Sequence, residues 1–198
     1  MPGQIIGLIM KTIILFLFLS VPLNTWAWTI DSNNPQNFLL GTTGMILAHE
    51  LGHIGVARSL NIKTDYDGVT IGYPSLTRGS KDQLRVASGG FQAQWLLSEL
   101  AFHYLDQANT GAHNDIATGA ILGHLAITAS YLTILKDDEN GDIAGMANAL
   151  DRNRNDVALL LAIPAILDTW RLFGNPPKWL PQVSQGSKGL GITWMWSW

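Results

Sequence analysis

The chain has 198 residues, no cysteine and a formal charge of −3. Disulfides, thiolate zinc sites and cysteine nucleophiles are excluded, and no basic run offers a footprint for nucleic acid. The length suits one domain with a core of its own. Hydrophobic residues at 47% are ordinary, but charged residues at 14% fall well below the usual quarter, a shortfall that points toward a membrane.

Residues 1–27 hold Lys11, then the intensely apolar run Thr12 to Leu23, then Thr25-Trp26-Ala27, which is similar to a small-x-small cleavage site. Two readings stand side by side, a signal peptide ending at Ala27 or a first transmembrane helix with Trp26 and Trp28 at the interface. Four further segments have helical length and few charges: about Phe38 to Ala57, Val86 to Leu105, Ile116 to Leu135, and Val157 to Phe173. Polar residues inside them, such as Gln92, Gln94, Glu99, His103, His124 and Asp168, are expected to face a bundle interior or cavity. Between the first two, Tyr66 to Pro74 reads as a short hairpin or a solvated loop. Residues 176–198 form a Trp-rich tail whose indoles suit a membrane interface. The expected architecture is therefore all-α, a polytopic membrane bundle of four to five transmembrane helices with a small insertion, its core within residues 28–175.

The basic residues supply an independent test, because alternate crossings place Lys and Arg on the cytoplasmic side. With Lys11 inside, the same side receives Arg58, Lys63, Arg78, Lys81 and Arg85, then Lys136, Arg152 and Arg154. The intervening loops carry none, and Arg171, Lys178 and Lys188 alone depart from the pattern. A soluble chain has no physical reason to alternate in this way.

The chemistry concentrates in Leu47-Ala48-His49-Glu50-Leu51-Gly52-His53. On a helix, histidines four apart lie one turn apart on one face and can converge on a single ion. Zinc is the natural candidate: three protein ligands leave a position for water, and the adjacent Glu50 can accept the water's proton. The apolar flanks strengthen the reading, since two imidazoles and a carboxylate would otherwise be stranded in a greasy helix. A third donor must come from elsewhere. The metzincin extension fails because Val56 and Ser59 occupy its positions. Glu99, His103, His113, Asp115, His124 and Asp168 remain, and Asp168 stands out as a carboxylate inside an apolar helix that opens at Pro164. The acidic run Asp137 to Asp142 fails the EF-hand pattern, with Lys136 at the first position and Ala147 at the twelfth.

His49-Glu50-Leu51-Gly52-His53 followed by Val56-Ala57-Arg58 resembles the first motif of the site-2 protease family of intramembrane zinc metalloproteases, and Leu167-Asp168 resembles its later Leu-Asp-Gly motif, with Thr169 in place of the glycine. The resemblance implies His49, His53 and Asp168 as zinc ligands and Glu50 as catalytic base. It further implies cleavage of membrane-protein substrates within the lipid bilayer of a bacterial cytoplasmic membrane, with the active site toward the cytoplasmic side. Two other classes compete. A membrane di-iron oxidoreductase would use Glu50-x-x-His53 as half of its ligand set, but Glu99 and His103 are four apart and supply no second copy. A non-enzymatic membrane protein with a degenerate motif predicts that His49→Ala leaves metal content unchanged.

Overall fold

The computed structural model describes residues 34–66, 71–107, 112–173, 182–186 and 189–193. The expected leader or first crossing, the Val69-Thr70 part of the insertion and the terminal tryptophans lie outside them. The elements in order are α1 (Pro35–Ser59), β1 (Asp65–Tyr66), β2 (Ile71–Gly72), α2 (Lys81–Gln107), α3 (Ala112–Thr133), a 3-10 turn (Leu135–Asp137), α4 (Asp142–Leu150), α5 (Arg154–Phe173), β3 (Gln182–Gly186) and β4 (Gly189–Thr193). Three of the four segments expected from hydropathy lie within a long helix, the other, Ile116 to Leu135, runs past the end of α3 into the 3-10 turn, and the all-α class holds. The strands form two separate antiparallel pairs, β1 with β2 where the insertion was expected, and β3 with β4 inside the tail read as interfacial.

Helix α1 begins with Asn34, whose side chain accepts hydrogen bonds from the backbone N–H groups of Gln36 and Asn37, and with Pro35 in the first turn, where its missing N–H has no partner to lose. It ends where Asn61 turns left-handed at φ 57°. Its buried residues, Gly41, Met45, His49, His53 and Ala57, recur every four positions, so one stripe faces the bundle. Leu39, Leu40, Ile46, Leu47 and Leu51 are exposed.

The long helices alternate in direction. Helices α1 and α3 run parallel, with the Asn34 N–H donating to Asp115 at their shared end and Thr42 Oγ1 donating to the Gly119 carbonyl further along. Helix α2 runs against α1 and crosses it at two glycines: a Cβ on Gly52 would fall 2.3 Å from the Gly89 carbonyl oxygen, and one on Gly89 would fall 2.8 Å from that of Gly52. Only glycine allows backbones to meet so closely. Two buried clusters fill the bundle. One joins Met45, Phe102, Leu105, Ile121 and Leu172, and the other joins Phe91, Ile143, Met146, Val157 and Leu161.

Helix α4 is the element that hydropathy did not anticipate. Gly141 caps it, Asp142 opens it, and Asp151 in the left-handed region at φ 51° closes it. Ile143, Ala144, Gly145, Met146 and Ala147 are all buried, so this short helix is a plug pressed against α2 and α5. Of the described helices, only α3, over Asp115–Thr133, is both long and apolar enough to cross a membrane by length and composition. Among the polar residues that lower the apolarity of α2 and α5, Gln94, Ser98, Asp168 and Arg171 build the interior described next, while Gln92, expected inside, is exposed.

Candidate metal centre

His49 and His53 occupy adjacent turns of the buried stripe, and their Nε2 atoms lie 3.2 Å apart. The third donor is Asp142, from the first turn of α4. Its Oδ2 lies 3.2 Å from His49 Nε2 and 3.1 Å from His53 Nε2. One ligand atom from each of the three residues falls within 4.8 Å of the others.

The far side of each imidazole fixes its tautomer. His49 Nδ1 lies 2.8 Å from Gln94 Oε1, and His53 Nδ1 lies 2.7 Å from the Val86 carbonyl oxygen. Both partners can only accept, so each Nδ1 carries the proton and each Nε2 turns a lone pair toward the common point. Gln94 is held in this orientation because its amide nitrogen donates to His124 Nδ1 at 3.0 Å and to Thr128 Oγ1 at 3.2 Å. Two lone pairs and a carboxylate converging on one point repel one another unless a positive charge sits among them. Without an ion, protonated imidazoles supply that charge: burial pushes the Asp142 carboxyl up, but hydrogen bonds from His49 and His53 and from the Tyr131 hydroxyl outweigh it and hold Asp142 below the usual carboxylate range, so that a metal would take the place of the Nε2 protons.

Space for an ion is kept by Gly90. A Cβ there would fall 2.4 Å from His53 Nε2 and 2.7 Å from His49 Nε2, filling the ground between the ligands. Two imidazoles and one carboxylate form a donor set that zinc takes in catalytic sites, so the residues fit the ion that the sequence suggests. Along the Ser88-Gly89-Gly90 stretch, Gly89 thus packs against α1 and Gly90 lies against the imidazoles.

Glu50 is exposed, one residue along from His49 and off the buried stripe. Tyr73, just after β2, is half-buried and lies within electrostatic reach of both Asp142 and Glu50. Burial first, then those two charges, pushes its phenol up to about 12. Tyr131 on α3 completes the surroundings, its hydroxyl donating to Asp142 Oδ2 at 2.5 Å and lying 3.3 Å from His49 Nε2.

Asp168, expected as the third ligand, is not brought to this point. Its carboxylate is buried among donors, accepting from Ser98 Oγ at 2.5 Å and from Arg171 Nη1 at 3.3 Å, with His124 Nε2 at 3.5 Å. Arg171 also donates to Glu99 and lies 4.0 Å over the Phe102 ring. The physical reason for the correction is saturation: a carboxylate already held by a hydroxyl and a guanidinium in the core has no free face for a metal. Pairing with Arg171 one turn on, the other reading of Asp168 open in the sequence, describes it instead. His124 is an interhelical hydrogen-bonding residue, and Asp115 accepts from Asn34. His103, on α2, does not join the cluster found among the described residues, and the side chain of His113 lies outside them.

Asp142 had one signal in sequence. An acidic run ending in Gly-Asp directly before Ile-Ala-Gly-Met-Ala marks a helix start whose first side chain can turn inward, and testing the run only for an EF-hand passes over it. Compared with protein families, curated proteins and solved structures, the chain matches none.

Proposed function

We propose that the chain is a zinc-dependent endopeptidase acting on membrane-embedded substrates, with His49, His53 and Asp142 as ligands and Glu50 as general base. The observation that carries the reading is the meeting of two Nε2 lone pairs and one carboxylate, with both Nδ1 protons tied to acceptors behind them. When bound, zinc supplies a Lewis acid that acidifies water and polarises a carbonyl. Glu50 takes the proton of the attacking water and delivers it to the leaving amine. Its exposed position, near Tyr73, suits a group that must meet both solvent and substrate. The two imidazoles and Asp142 are held from behind by Gln94, the Val86 carbonyl and Tyr131, so they need little rearrangement.

Placement in a cytoplasmic membrane draws support from the ends of the bundle. Arg78 reaches Asn148 and Glu139, and Arg154 reaches Glu139, so the α1–α2 connection and the α3–α5 connection share one end. That end carries Arg58, Lys63, Arg78, Lys81, Arg85, Lys136, Arg152 and Arg154, as the charge rule for a cytoplasmic face requires. The metal centre lies toward it, since Asp142 opens α4 there. The exposed leucines of α1, together with Leu160, Ile163 and Trp170 of α5, are suited to lipid or to an apolar substrate.

The test is Glu50→Gln in purified protein, assayed on apolar peptides and on a membrane-protein substrate. Zinc content should stay at that of the wild type while hydrolysis falls roughly 10²- to 10⁴-fold. Full hydrolysis by a zinc-loaded variant would remove Glu50 from the mechanism. Iron in place of zinc, with oxidase activity, would favour the competing class.

A further inference from the structure

Tyr131 belongs to none of the sequence motifs, yet its hydroxyl stands in the same layer as the ligand atoms, 2.5 Å from Asp142 Oδ2 and 3.3 Å from His49 Nε2. We infer that Tyr131 is a catalytic hydrogen-bond donor, giving its O–H to the substrate carbonyl oxygen as that oxygen gathers negative charge. The inference rests on the hydrolytic reading above and adds a residue to it.

Three observations carry it. The ring is fixed, packed edge-on against Phe91 with centroids 4.9 Å apart and tilted over His49 at 5.6 Å, on a helix rather than a loop. A donor fixed in this way needs no reorganisation when charge develops nearby. Neither neighbouring acceptor would keep the proton once an ion is bound, because His49 Nε2 and Asp142 Oδ2 both turn toward the point that the ion would occupy. Rotation about the C–O bond alone therefore lets the hydroxyl exchange Asp142 for a substrate oxygen placed among the ligands. Finally, the hydroxyl lies 2.5 Å from Asp142 Oδ2 and 3.3 Å from His49 Nε2, so a substrate oxygen held by the same three ligands' ion would fall within its reach. No bond to Tyr131 forms or breaks, and the proton moved in the reaction remains the one that Glu50 carries.

Tyr131→Phe preserves the ring and its contacts. In full-length protein loaded with cobalt, the variant should keep the wild-type metal stoichiometry yet bind acetohydroxamate, an oxyanion probe followed through the cobalt spectrum, about ten-fold or more weakly. On a cleaved peptide, kcat should fall about 100-fold with KM little changed. Unchanged acetohydroxamate affinity would overturn the inference. So would loss of cobalt, which would make Tyr131 a support for Asp142 and nothing more. The probe needs no peptidase activity: weaker binding by the variant in a protein that cleaves no peptide would leave Tyr131 as an oxyanion donor and discard the endopeptidase reading.

Discussion

Two carboxylates, the half-buried Asp142 and the buried Asp168, sit in neighbouring polar clusters of one bundle and face different company. Asp142 meets two imidazole nitrogens whose protons are tied up behind them, so lone pairs confront its negative charge. Asp168 meets a serine hydroxyl and a guanidinium, both donors. The lesson is that burial and an apolar setting do not mark a metal ligand. What marks it is a carboxylate that shares one point with two imidazole Nε2 atoms, a convergence that a cation reconciles. Gln94 joins the two clusters, with its oxygen toward His49 and its nitrogen toward His124, so the donor-rich cluster orients the acceptor-rich one.

The comparison breaks most sharply under paired substitution. Asp142→Ala should lower zinc affinity by more than about 100-fold, read by competition with a chromophoric chelator, and should leave the helices intact by circular dichroism. Asp168→Ala should do the reverse. Zinc stoichiometry should persist, while stability in detergent drops by about 3 kcal/mol, because Arg171 loses one of its two anionic partners inside the bundle. Exchanged outcomes would return the ligand role to Asp168.

Gly90→Ala probes the space between the ligands. Its methyl would fall within van der Waals overlap of both Nε2 atoms, so zinc binding measured by metal analysis should weaken by about as much as in Asp142→Ala. Gly44→Ala, on the same bundle with nothing within 4 Å of the added carbon, should retain zinc and gain about 0.5–1 kcal/mol from helix propensity. Gln94→Ala should cost roughly 10- to 100-fold in zinc affinity by isothermal titration, since His49 loses the acceptor that sets its tautomer. His124→Ala acts one step further out and should cost less than Gln94→Ala, because Thr128 still holds the amide.

Much of this was legible in the sequence where a single element carries the information. The four long helices follow from apolar runs, and the His49–His53 pair follows from a four-residue spacing that any helix converts into convergence. The third ligand was not legible, because it depends on which distant carboxylate tertiary packing brings to the two Nε2 atoms. Asp168 has the more persuasive local setting, and Ser98 and Arg171, invisible as its partners in one dimension, disqualify it. Asp142 follows an acidic run at the start of a nine-residue helix too short for hydropathy to single out. Gly90 was partly legible: glycines opening an apolar helix suggest either packing or close approach to the site, and the crossing of α1 and α2 puts this one's bare Cα beside the imidazoles.

The ligands come from opposite halves of the chain, with 93 positions between His49 and Asp142. An ion held by both is therefore a removable cross-link that staples the short plug helix to the long one and closes a wide loop of backbone. Chelation should then do more than silence the site: the amides of α4 should exchange with solvent faster while those of α1 stay protected, so that occupancy is written into the local firmness of the fold.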